Sequence, residues 1–385
     1  MIYLDNNATT EPASEVISAV EKTLRENWGN PSSTHQQGML ARQCIEQARE
    51  SIARLLGCGT REVILTSCGT ESCNLALAGS LGGADGRKVI VTTRYEHSAV
   101  REYANALAAQ GNGVVWIDGG KDGLIDPQQL EQLLSARARE IAIVSIMWAN
   151  NETGLVQPIA QLASICRRHG VRFHTDATQW VGRMPTNVAD LEIDLLSCSA
   201  HKFHGPKGIA ALFCRRGITL RPLIIGGPQE RDRRGGTENV AAIVGMGVAA
   251  DLAHSWLTSP SAHGLRLAAL RDKFEQLVCA SIASAVVQAR DQPRLWNTSN
   301  IAFVHLEAEA VLVNLARHGL AASAGAACSS GSLDPSPVLL AMGIPPEIAH
   351  GAVRFSLSRN TTEAEIVDAA RIVIESVRAL ARSMP

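Results

Sequence analysis

Between residues 60 and 215 the chain alternates short runs of Val, Ile and Leu with stretches of helical periodicity, and this alternation restricts the fold more than any other feature. The apolar runs are EVILTS (62–67), KVIVTT (88–93), GVVWID (113–118), IAIVSIM (141–147), VRFHTD (171–176), DLLSCS (194–199) and IAALFC (209–214). They are nearly continuous, with β-branched enrichment, as expected of strands covered on both faces. Helical patterns at 70–82, 98–110, 127–137 and 158–169 fall between most of them. Such a succession implies an α/β fold with a mainly parallel seven-stranded sheet and right-handed crossovers. The last two runs have no helix between them, so a hairpin is expected to end the sheet. Beyond a linker at SPSAHG (259–264), helical patterns near 265–283 and 307–318 flank a strand-like NIAFVHL (300–306). A further strand, AVRFSLS (352–358), and a final helix over about 362–382 complete what reads as a smaller α+β domain. The expected division is a large domain at 16–258 and a small one made of 1–15 and 259–385.

Composition removes several classes of function. Lys and Arg number 36 against 37 Asp and Glu, so no net field attracts nucleic acid or an anionic membrane. No run of eighteen apolar residues suggests a bilayer span. The start, MIYLDNNATT, lacks the features of a secretory signal, which makes the cytoplasm the expected compartment. Nine cysteines (44, 58, 68, 73, 166, 198, 214, 279 and 328) are irregularly spaced without a CxxC, against both a disulfide framework and a zinc site. Most should be small buried hydrophobes.

The most specific segment is SCSAHKFHGPKG (197–208), which sets Lys202 in a loop after an apolar run, between His201 and His204. A lysine there is usually solvated. A Schiff-base lysine, by contrast, needs a partly desolvated pocket that lowers its pKa, and this polar cluster does not suit a core. Asp176 ends the run VRFHTD, where parallel sheets present ligand-binding residues. It is either a helix N-cap or the carboxylate that pyridoxal phosphate (PLP) requires opposite its pyridinium nitrogen. Gln179 could reach the ring's 3-oxygen or be a surface amide. In TSCGTESCN (66–74), Gly69 and Thr70 would offer N–H groups and a hydroxyl to a phosphate at a helix N-terminus, although Thr70 could be a plain cap. His97 in RYEHSAV could stack on a cofactor ring or be an ordinary loop histidine. Asn151 in MWANNETG could reach substrate or ring oxygen. All of these follow candidate strands, and that shared placement is the argument. Cys328 lies in SAGAACSSGSLDPSP, a run too small-sided to pack and so expected to be mobile, which suits a thiol that must travel between donor and acceptor.

With these segments assembled, the chain resembles the NifS/IscS-type cysteine desulfurases, the nitrogen-fixation kind most closely, within the class V aminotransferases of PLP fold type I. The resemblance spans essentially the whole length and also rests on YLDNNATT, GNPSS (29–33), RRGGTEN (233–239) and RFSLSR (354–359). It implies that Lys202 carries PLP, that Asp176 and Gln179 hold the ring, and that His97 stacks on it. Asn151 would contact cofactor or substrate. Gly69, Thr70, Ser199 and His201 would bind the phosphate, joined by Thr237 from the other subunit of a homodimer. Arg354 would clamp the substrate carboxylate. Cys328 would take sulfur from L-cysteine as a persulfide, leaving alanine, and hand it to an iron–sulfur scaffold or another acceptor. No resident metal is implied, although Cys328 could serve as a transient iron–sulfur ligand shared with a scaffold. Departures from the family pattern are Ala324 and Ala326 in place of serines, Pro228 and Asp232 in place of a His and a Gly, and the bulky Trp180. A selenocysteine lyase or a small-substrate aminotransferase would share the fold, but an aminotransferase has no need of Cys328. A non-catalytic sulfur carrier or cluster scaffold would leave Lys202 without a role.

Overall fold

The structure, a computed structural model, describes residues 1–81, 86–120, 122–261, 263–325 and 334–383. The chain opens with a two-residue strand, β1 (Ile2–Tyr3), and two helices, α1 (Ser14–Glu26) and α2 (Gln36–Leu56). Strand and helix then alternate through β2 (Val63–Thr66), α3 (Gly69–Ser80), β3 (Val89–Thr93), α4 (Ser98–Ala109), β4 (Gly113–Ile117), α5 (Pro127–Arg137), β5 (Ile141–Ser145), α6 (Ile159–Arg168) and β6 (Arg172–Asp176). Two strands without an intervening helix, β7 (Leu195–Ser199) and β8 (Ala210–Cys214), complete a seven-stranded sheet of order β2-β8-β7-β6-β5-β3-β4.

All neighbours are parallel except β8, which runs antiparallel to β7 and to β2. The expected antiparallel pair therefore forms, but it lies inside the sheet, with β2 outside it at the edge. Two reversals leave β2 pointing the same way as β7, so the carboxyl ends of β2, β3, β5, β6 and β7 share one edge. Both faces are covered. Val63, Leu65, Val91, Leu196 and Phe213 join one apolar cluster, while Ile64, Ile90, Leu195 and Leu212 join another on the opposite face. The continuous apolar runs are the sequence image of this double burial.

The single turn α7 (Gln229–Asp232) precedes α8 (Val240–Thr258). By length and composition α8 could cross a bilayer, which the count of consecutive apolar residues did not suggest. It packs instead on α1 and α2, so closely that a Cβ on Gly247 would lie 2.7 Å from Ala48. The expected linker is shorter than 259–264, because α9 (His263–Ser281) already includes His263 and Gly264.

After α9 come β9 (Ala285–Val287), β10 (Thr298–Phe303), α10 (Ala308–Arg317), β11 (Leu320–Ala321) and β12 (Ser323–Ala324). Short helices α11 (Pro337–Ala341) and α12 (Pro346–Ala349) lead into β13 (Ala352–Ser356) and α13 (Glu363–Ser383). An antiparallel sheet of order β12-β13-β10-β9 backs a separate apolar cluster that includes Phe274, Phe303, Phe355 and, from the start of the chain, Leu4. β1 pairs with β11 in parallel, and the segment after it lies along β13. Asn6 N–H donates to Ser356 O (3.2 Å), Ser356 N–H to Leu4 O (2.7 Å), and Asn7 N–H to Ser356 Oγ (2.9 Å). The chain's first residues thereby reach the carboxyl edge of the large sheet.

Of the eight described cysteines, only Cys73, Cys166, Cys198 and Cys214 are buried, and Cys68 is exposed. Trp180 stacks on Trp148, with ring centroids 4.4 Å apart and planes 8° from parallel. The bulk after Asp176 is thus matched by a tryptophan from the MWANNETG segment. Asp232 adopts φ of +62°, as do its neighbours Glu230 (+47°) and Arg231 (+59°). Glu230 holds this left-handed stretch from beneath, accepting from both Arg49 terminal nitrogens at 2.8 Å and from Leu65 N–H at 2.9 Å.

Candidate active site

A cavity of about 800 Å³ opens at the carboxyl edge of the large sheet. Strand ends β2, β3, β5, β6 and β7 place Gly69, Thr70, His97, Asn151, Asp176, Gln179, Ser199, His201 and Lys202 around it, and β13 adds Arg354. Ten of the twelve residues expected from the sequence therefore meet in one space. Thr237 does not join them; it lines a smaller hollow beside Leu65, Glu230 and Arg234. Cys328 lies outside the described residues, as does Ala326.

Lys202 follows β7 in a 3₁₀ turn, and its Nζ donates to the carbonyls of Asn7 (2.6 Å) and Ala8 (2.8 Å). Two neutral acceptors cannot balance a buried charge. Burial first, then the Arg183 and Arg354 guanidiniums, bring its pKa from 10.5 down to about 7. The same forces hold the His201 ring neutral, with a pKa of about 3 set by burial and by the Lys202, Lys207 and Arg183 charges. Its Nδ1 sits 3.2 Å from Thr9 Oγ1.

Asp176 is buried at the end of β6, and its Oδ1 accepts from Thr178 N–H at 2.9 Å. The residue thus caps the following turn while also lining the cavity. Beneath it lie groups that its charge keeps from ionising or charges more easily. Burial and then Asp176 push the Glu96 carboxyl up to about 8. His174 is fully buried between Ser145 Oγ (2.8 Å) and Ser197 Oγ (2.9 Å), and burial lowers its pKa to about 4. Of these, Asp176 and Glu96 line the cavity, whereas His174 does not.

Gln179 donates from Nε2 to Asn7 O at 3.0 Å, and its Oε1 accepts from Arg183. His97 caps α4, its Nδ1 accepting from Ala99 N–H at 3.1 Å. Gly69 and Thr70 form the first turn of α3, whose leading N–H groups have no acceptor within the helix, and both residues line the cavity together with Ser199. Asn151 presents a buried Oδ1 without a hydrogen-bond partner among the described residues. Arg354 is 2% exposed and donates to Asn151 O (3.0 Å), Gly325 O (3.4 Å) and Asp5 Oδ1 (2.8 Å), while its Nε has no acceptor among the described residues.

Several contributors were not legible in the sequence: the carbonyls of Asn7 and Ala8, the carboxylate of Asp5, the guanidinium of Arg183 and the buried Glu96. Asp5, Asn7 and Ala8 lie in YLDNNATT and Glu96 in RYEHSAV, but nothing in either pattern points toward Lys202 or assigns these residues a role. These residues fit PLP. A near-neutral lysine amine, a carboxylate, a helix N-terminus with adjacent hydroxyls and an unpartnered amide oxygen face one cavity of suitable size.

Fold and site together define a PLP-dependent enzyme of fold type I. The model of the aminotransferase class-V family matches residues 2–368. "Cysteine desulfurase 2" of Trichormus variabilis is 45% identical over 383 residues, covering 99% of this chain and 94% of that one. "Cysteine desulfurase NifS" of Azotobacter vinelandii is 45% identical, covering 95% and 90%. Among solved structures, one titled "NifS-like protein" superposes with a TM-score of 0.89 at 34% identity, covering 99% of each chain. "SspA in complex with cysteine" superposes with a TM-score of 0.81 at 32% identity, covering 94% of this chain and 100% of that one. The chain belongs to the class-V aminotransferase family, in its cysteine desulfurase branch, and its cofactor is PLP.

Proposed function

We infer that the protein is a cysteine desulfurase that converts L-cysteine to L-alanine and holds the released sulfur as a persulfide on Cys328. The observation that carries the reading is the buried amine of Lys202, near neutrality at physiological pH and sharing one cavity with Asp176 and Arg354. When bound, PLP supplies an electron sink that acidifies the substrate's α-hydrogen and loosens its Cβ–S bond.

The chain's own residues would do the rest. Lys202 anchors the cofactor's aldehyde and, once released, holds the proton taken from the α-carbon. Asp176 keeps the ring nitrogen protonated, Gln179 and Asn151 meet the ring oxygen or the substrate, and His97 covers the ring. Gly69, Thr70, Ser199 and His201 hold the phosphate, the last as a neutral ring. Arg354 takes the substrate carboxylate. The Cys328 thiolate attacks the substrate sulfur. An S–S bond forms as the Cβ–S bond breaks, and protonation of the carbon yields alanine, so that cysteine plus one thiol gives alanine plus one persulfide.

Thr237 completes the phosphate site from the partner of a homodimer, a reading supported by its separation from the cavity within one chain. The segments 1–15 and 259–385 act as a small domain against 16–258, supported by Leu4 packing among residues of the C-terminal part. The acceptor is an iron–sulfur scaffold or another thiol-bearing protein, nitrogenase assembly being one destination, and the cytoplasm is the compartment this implies.

Incubation with L-cysteine and a reductant tests the reading. Equal amounts of alanine and sulfide are expected. Release of a keto acid in place of alanine would identify an aminotransferase instead.

A further inference from the structure

The N-terminal segment holds both Lys202 and Arg354 at once. The Asp5 carbonyl accepts from the N–H groups of Ala8 (3.0 Å) and Thr9 (3.4 Å), closing a turn. Tyr3 Oη braces that turn by donating to the carbonyls of Asp5 (3.2 Å) and Thr9 (2.9 Å). From the turn, the Asn7 and Ala8 carbonyls receive Lys202 Nζ, and the Asp5 carboxylate receives Arg354.

A guanidinium has five N–H donors. In Arg354 both hydrogens of Nη1 are taken, by the carbonyls of Asn151 and Gly325, and one on Nη2 is taken by Asp5. Among the described residues two donors remain without an acceptor, the second on Nη2 and the one on the buried Nε. That is the number a carboxylate needs for a two-pronged contact.

Arg354 lines the cavity, and Asp5 decides whether the guanidinium keeps this orientation there. It is the one side chain, among the described residues, to which the guanidinium donates; the other two acceptors are backbone carbonyls sharing Nη1. Without Asp5 the group can pivot about Nη1. The backbone, by contrast, does not depend on the ion pair. The segment is already bound to β13 through Asn6, Asn7 and Ser356, and the Asp5 side chain is 20% exposed against 2% for Arg354.

We infer that Asp5 is a positioning residue for substrate recognition, fixing the Arg354 guanidinium so that its free edge selects ligands bearing an α-carboxylate. This rests on the reading of Arg354 as the carboxylate partner.

L-Alanine and ethylamine differ only by that carboxylate, and each can be titrated into the PLP-loaded enzyme by following the cofactor's absorption. The expected result for Asp5→Asn is a loss of at least tenfold in the preference for L-alanine, through weaker L-alanine binding, with ethylamine unchanged and the melting curve retained. Asp5→Glu, which restores the charge, should recover part of the preference. An undiminished preference in Asp5→Asn overturns the inference. So does equal weakening of both ligands, or failure of both variants to load cofactor, since either makes the segment a general prop. Arg354→Gln separates the two readings. If it keeps the preference, Arg354 is not the carboxylate partner. If it loses the preference while Asp5→Asn does not, only the role of Asp5 fails.

Discussion

In protein stripped of cofactor, Lys202 should behave as a neutral amine at pH 8. Burial and the Arg183 and Arg354 charges bring its pKa from 10.5 to about 7. At pH 8 a group with a pKa near 7 is about 90% unprotonated, against about 0.3% for one at 10.5, so the reactive fraction rises about 300-fold. The rate of PLP reloading, followed by near-visible absorbance, should therefore climb to a plateau with a midpoint near pH 7. Stability supplies an independent arm. The folded state's pKa lies below the unfolded value, so between about pH 7 and 10.5 the unfolded chain binds more protons and stability rises with pH. At about 1.4 kcal/mol per pH unit the whole window gives a ceiling of about 5 kcal/mol, and partial access to solvent reduces this to about 2–3 kcal/mol. Lys202→Met lacks this titration. Its advantage over the wild-type apoprotein in denaturant unfolding should be largest near pH 7 and shrink toward pH 9. A reloading rate that rises only near pH 10, together with a pH-independent stability gap, would refute the reasoning.

Asp176→Asn should retain PLP but lose turnover by about 10²-fold or more, the usual scale for removing one preorganised charge, as read by alanine release per bound cofactor. Cys328→Ala should still change the cofactor spectrum with L-cysteine yet release neither sulfide nor alanine, while wild-type protein without reductant gains one sulfur atom in mass on the Cys328 peptide. Dithiothreitol should remove that atom. Sedimentation should show a dimer, and Thr237→Ala should weaken PLP retention without changing the mass of the particle; a fully active monomer would contradict the composite site.

The large sheet was legible because its strands are buried on both faces, which leaves the strongest imprint a strand can leave on a sequence. The site was legible for a related reason. A parallel sheet sends its carboxyl ends to one edge, so residues following separate apolar runs, such as Gly69, His97, Asp176 and Lys202, are gathered by topology alone. The insertion of β8 between β2 and β7 was not legible, since an edge strand covered by helices carries the same apolar pattern as a central one. Nor were the contacts of the N-terminal turn. Asn7 meets Lys202 across 195 positions and Asp5 meets Arg354 across 349, and the carbonyls that do most of this work are chemically identical at every residue.

The electrostatics of the site follow from where the fold crowds its cations. The Arg183 and Arg354 charges depress the Lys202 amine, and Arg183 itself falls to about 9 through burial and the Arg354 charge. A guanidinium begins so far above neutrality that even this leaves Arg183 charged, whereas the lysine and His201 begin closer and yield their protons. One crowded cluster thus sorts itself by intrinsic pKa into fixed charges that can bind anions and neutral nitrogens that can exchange protons. Replacing Arg354 by lysine would blur that division, because a second ammonium in the same burial could neutralise as Lys202 does. The Asp5 carboxylate matters most in this setting, since it gives Arg354 the counter-charge that the two carbonyls on Lys202 do not provide.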